Sequence, residues 1–125
     1  MSILMPRHIR GFTAYAPTIT PGSGAFTTAS ATGRWCQLGK FIYFAWTITI
    51  TTNGTAGTYI GISLPVPASL AGTAILVCAR ENFLTGNQVD GGLGSATLAV
   101  LTFYNGTYPG ASGYRLDGAL IYEAA

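Results

Sequence analysis

Between Lys40 and Thr52 the even positions are apolar: Ile42, Phe44, Trp46, Ile48 and Ile50 alternate with Phe41, Tyr43, Ala45, Thr47, Thr49 and Thr51. A period of two places successive side chains on opposite faces of an extended strand, so the spacing predicts a strand with its even face in a core. The odd face carries two aromatics and then threonines, which suits a partly covered surface such as a subunit contact. Phe41, Tyr43, Thr47 and Thr49 are therefore the candidate oligomer interface. Asn53-Gly54 follows with the chemistry of a tight turn, and Tyr59 to Leu64 alternates again with Ile60, Ile62 and Leu64 on one side. A hairpin between the two strands is the expectation. Leu64-Pro65-Val66-Pro67 ends ladder pairing because proline has no N–H to give.

Weaker patterns fill the rest. Thr13 to Thr20, Ala25 to Ala31 and Arg34 to Leu38 are three short strand candidates, separated by Pro21-Gly22-Ser23-Gly24 and by Gly33. Ala68 to Thr73 is expected to be a connection with one short helical turn. Ala74 to Arg80 is apolar on both faces and is predicted as a buried strand. Glu81 to Ser95, rich in glycine, is predicted as a long hairpin around a weak strand. Ala96 to Tyr104 is a further strand, and Tyr114 to Leu116 with Ala119 to Glu123 closes the system after a turn-rich loop. No amphipathic helix and no internal repeat is evident. Eight or nine short strands separated by turn signals predict an all-β, antiparallel β-sandwich of jelly-roll type over residues 13 to 125. Residues 1 to 12 lack a strand pattern and are expected to form an arm or linker.

Composition sharpens this picture. Of 125 residues 49% are hydrophobic and only 8% charged, against about 25% charged in ordinary proteins, and no charged side chain lies between Lys40 and Arg80. No run of about 20 apolar residues exists, so no membrane-spanning helix is expected. A surface this poor in charge is better explained when copies of the chain cover part of it. The net charge of +2 comes from scattered basic residues, with Arg7, His8 and Arg10 the one small cluster, so nothing tracks a nucleic-acid backbone. Cys36 and Cys78 both lie in apolar runs and are expected to pack as buried free thiols.

Catalytic chemistry is poorly supplied. A hydrolase triad would need His8, the one histidine, in the expected arm. Glycosidase chemistry would draw on Glu81, Asp90, Asp117 and Glu123, which form no pattern and are expected to be exposed loop and strand-end charges. Nothing asks for a cofactor or metal. Gly91-Gly92-Leu93-Gly94 lacks the lysine and helix of a phosphate loop. Asn53-Gly54-Thr55 and Asn105-Gly106-Thr107 fit glycosylation acceptors, but turns account for both. The loop aromatics carry more interest, because exposed rings stack on sugars and nearby amides or acids bond hydroxyls. Phe83, Asn87, Asp90, Tyr104, Asn105, Tyr108 and Tyr114 are the candidate ligand-binding residues; packing of these rings at the sandwich ends is the alternative.

The succession Tyr15-Ala16-Pro17-Thr18, Gly33-Arg34-Trp35, Gly39-Lys40, Asn53-Gly54-Thr55 and Leu64-Pro65-Val66-Pro67-Ala68 resembles the distal domains of tail-fibre and tail-tip proteins in tailed bacteriophages and prophages. It covers roughly residues 11 to 70, and Trp35 stands where such sequences more often have tyrosine. The resemblance implies a homotrimeric, non-enzymatic β-sandwich, made in the bacterial cytoplasm and carried on the virion. Its implied partners are other virion proteins or a host-surface polysaccharide. It carries over no catalytic residue. A capsid-decorating or tail-assembly role, and a monomeric carbohydrate-binding module, are the alternatives.

Overall fold

The computed structural model describes residues 11–70 and 75–125. The basic cluster of the expected arm and half of the expected helical connection, residues 71–73, lie outside these residues.

Among the described residues nine antiparallel strands form: β1 (Thr13–Tyr15), β2 (Ile19–Ser23), β3 (Thr28–Leu38), β4 (Phe41–Thr52), β5 (Gly57–Ser63), β6 (Ile75–Glu81), β7 (Gln88–Ser95), β8 (Leu98–Phe103) and β9 (Arg115–Glu123). Their order is β1-β3-β4-β9-β6-β7-β8-β5-β2, an unbroken ladder, so the two expected layers are the two halves of one curled sheet. Bulges at Pro21/Ser23, Thr28/Ala29 and Leu93/Ser95 help it bend.

The core forms where the alternation predicted. Ile42, Phe44, Trp46, Ile48 and Ile50 of β4 are buried and meet Ile60 and Ile62 of β5, Leu101 and Phe103 of β8, and Leu116, Leu120 and Tyr122 of β9. The large indole of Trp46 needs small neighbours, and its cross-strand partners are Gly33 on β3 and Gly118 on β9. A Cβ at Gly33 would lie 2.7 Å from both the Phe44 ring and the Ala45 carbonyl oxygen. Gly33 therefore serves close packing inside an 11-residue strand, whereas the sequence reading took it for a break.

Other boundaries also differ. Thr13 to Thr20 is two strands, because Pro17 ends β1 and the chain crosses to the far edge of the sheet before β2 begins. There the Tyr15 hydroxyl bonds Ser63 Oγ at 2.7 Å and the Leu64 carbonyl oxygen at 3.3 Å, while the Thr18 N–H donates to Ser63 Oγ at 2.8 Å. Four residues thus clasp the edge strand β1 to the end of β5, the strand next to the opposite edge. The segments 114–116 and 119–123 merge into one strand, β9.

The turn at Asn53-Gly54 is present, with Gly54 at φ 65°, but the expected hairpin is not. β4 pairs with β3 and β9, while β5 pairs with β8 and β2. The turn arches over the core, so the even faces of both strands oppose one another instead of lying side by side. Asn53 holds the arch by donating from Nδ2 to the Ala56 carbonyl oxygen and accepting from the Tyr108 hydroxyl, at 2.9 and 2.7 Å.

Candidate functional site

The outward residues of β3, β4, β9 and β6 line up in cross-strand rows. Leu38, Phe41 and Glu123 form the first. Cys36, Tyr43, Ile121 and Leu76 form the second, extended by Phe12, whose ring meets Tyr43 edge-on at 5.8 Å beneath the Arg34 guanidinium. Small residues dominate the third: Ala45, Ala119 and Cys78, with Arg34 at its β3 end. Thr32, Thr47, Asp117 and Arg80 form a polar fourth, and Thr49 and Arg115 lie in the fifth.

The face is apolar at one end and polar at the other. Leu38, Phe41, Tyr43, Leu76 and Ile121 are 37% to 62% exposed, although all are large and hydrophobic. Behind the Tyr43 row, Gly118, Ala119 and Cys78 floor a trough of about 320 Å3 walled by Tyr43, Ile121 and Leu76. At the polar end, Asp117 accepts from Thr47 Oγ1 at 2.7 Å, Asn82 Nδ2 at 2.6 Å and Arg115 Nε at 3.2 Å. Partial burial acts to raise its pKa, but these donors and the Arg115 charge outweigh burial and hold it below the usual carboxylate value.

All four residues expected at a subunit contact, Phe41, Tyr43, Thr47 and Thr49, stand on this face. The sequence reading missed its β6 and β9 contributions. Ala74 to Arg80 was expected to be a buried strand, apolar on both faces, yet Leu76 and Cys78 are open to solvent. Both cysteines are free thiols, Cys36 half-buried and Cys78 exposed, so the expected burial of Cys78 is corrected. An apolar run cannot distinguish a face covered within the chain from one left bare, which is why the pattern misled.

The candidate ligand residues lie around the loops at one pole of the sheet. Phe83 and Tyr104 are exposed, and the Arg115 guanidinium lies 5.5 Å from the Phe83 ring centroid. Tyr108 and Tyr114 instead pack against the core, Tyr114 beside Phe103, and burial pushes the Tyr108 phenol above its usual pKa. Asn105 Oδ1 accepts from Thr107 N and Oγ1, serving its own turn. The Asn87 N–H donates to Thr85 Oγ1, and Asp90 accepts from Gln88 Nε2 at 3.1 Å.

Glu81 departs most from expectation. Its side chain is fully buried, not a surface charge. It accepts from the backbone N–H groups of Phe83, Leu84, Thr85 and Arg115 at 2.6 to 3.1 Å, and from Thr85 Oγ1 at 3.0 Å. Burial opposes the charge, but the four backbone donors prevail and bring its pKa down to about 2. The carboxylate thereby fixes loop 82–87 and presents Phe83. Among the described residues no group of three or more His, Cys, Asp or Glu is placed to hold a metal ion, and no helix is long and apolar enough to cross a membrane. Comparison with protein families, curated proteins and solved structures gave no match.

Proposed function

We propose that this chain is a non-enzymatic assembly module that associates with copies of itself through the outer face of β4, β9 and β6, and that its setting is a phage or prophage virion. The carrying observation is the bare apolar end of that face. Its five large side chains amount to roughly 500 Å2, near the upper limit of what a lone soluble protein leaves open. The virion setting rests on the tail-fibre resemblance of residues 11 to 70. The state of the acids favours a non-catalytic role: Glu81 is fully engaged by loop donors, and three side chains hold Asp117.

Light scattering on the purified chain tests the proposal. The expected mass is a multiple of 13.0 kDa, falling to one protomer in Tyr43→Asp, which places a charge on the apolar row. A wild-type protomer that stays single at high concentration overturns it.

A second reading concerns the loop pole. Phe83 and Tyr104 present open rings there, which supports contact with a host-surface polysaccharide. Phe83→Ala with Tyr104→Ala is then expected to abolish glycan-array binding while leaving the oligomer intact; an array blank for the wild type removes this reading.

A further inference from the structure

We infer that the outer face pairs with the same face of a second copy about a twofold axis running across the strands, between the Tyr43 row and the Ala45 row. This rests on the reading above that the face meets a sister chain, and it adds the arrangement. The argument begins with relief. Tyr43, Ile121 and Leu76 form a ridge, and the adjoining trough of about 320 Å3 is floored by Gly118, Ala119 and Cys78. A face that carries a ridge and a trough side by side complements itself.

The orientation follows. An axis along the strands would set ridge against ridge and leave both troughs empty. An axis across them, midway between the two rows, keeps each strand over its own counterpart while exchanging the rows. Leu76 then sits over the partner's Cys78, and Ile121 over the partner's Ala119. The same rotation exchanges the first row with the fourth, so that Glu123 comes over the partner's Asp117, whose charge Arg115 already meets, with the partner's Arg80 one strand to the side and placed for a diagonal ion pair. Among the described residues the salt bridge is Arg115 to Asp117, so neither Arg80 nor Glu123 has an ion-pair partner within them. Symmetry forms the new pair twice. Two apolar faces contribute about 1,000 Å2, and the polar rows carry the total to the lower limit of specific interfaces, about 1,200 Å2. Three copies around an axis, the number implied by the tail-fibre resemblance, would need the ridge to meet a different surface of its neighbour.

Sedimentation velocity on the full chain and three variants tests this, with circular dichroism confirming that each variant folds. The wild type is expected to be a dimer. Ala119→Phe fills the trough and is expected to weaken association about tenfold although it adds apolar area; a merely sticky face would associate more strongly. Arg80→Glu is expected to weaken association, and adding Glu123→Arg to restore it. A trimer, stronger association of Ala119→Phe, or a double variant no better than the single one overturns the twofold arrangement. A trimer that Tyr43→Asp takes apart leaves the proposed function standing, whereas a monomeric wild type removes both.

Discussion

At the scale of single residues, Glu81 is the molecule's most committed side chain. A buried carboxylate with no salt bridge among the described residues is tolerated because five hydrogen bonds, four of them from backbone N–H groups, replace its water. Its folded pKa of about 2 lies below its ordinary value of 4.5. The stabilisation is therefore complete above about pH 4.5 and lost as pH falls through about 2. The loop borders solvent, so we expect about 2 kcal/mol, less than the full shift would convert to. Glu81→Gln should lose about that much by urea denaturation at pH 7 and flatten the acid limb of stability against pH. None of this is legible in the sequence, because the partners are mostly backbone N–H groups that any chain offers. Tyr108 is a similar case. Its ring lies between turn residues that read as loop, yet its hydroxyl secures Asn53 at 2.7 Å.

Among elements, the strands with strict alternation were readable and their pairings were not. β4 and β5 showed their inner faces because Ile, Phe and Trp repeat every second residue. Asn53-Gly54 showed a turn, but turn chemistry fixes a change of direction and leaves open whether the strands lie side by side or face to face. The buried face of β4 could be read; the bareness of the opposite face around Leu76 and Ile121 required knowing which strands stand beside it. The clasp between β1 and β5 is likewise invisible in sequence, since Tyr15 and Ser63 are 48 residues apart. Tyr15→Phe removes the hydroxyl from Ser63 Oγ and the Leu64 carbonyl oxygen. It is expected to cost about 1 kcal/mol and to speed amide hydrogen exchange in β1 and β2 while β4 and β9 keep their protection. Equal acceleration in β4 would show that the edges and core open together.

For the whole molecule, association and stability are coupled if the outer face is shared between copies, because only folded protomers assemble. Tenfold dilution is then expected to lower the thermal midpoint by a few degrees, corresponding to roughly 1 kcal/mol for a domain of this size. Tyr43→Asp should remove that dependence. A midpoint indifferent to concentration across the range where light scattering reports an oligomer would show that the contact adds nothing to the fold.

The strand order has a further consequence for how the molecule is made. β9, the last of the nine described strands in sequence, lies between β4 and β6 and is the ladder that joins the β3–β4 side to the β6–β7–β8 side. A ribosome delivers every other strand first, so a nascent chain ending at residue 114 holds two sheets with no shared seam, and protease should digest it readily. Only when Arg115 to Glu123 has also left the exit tunnel can the two sides zip together, which makes the arrival of this one strand the step that commits the sheet to its shape.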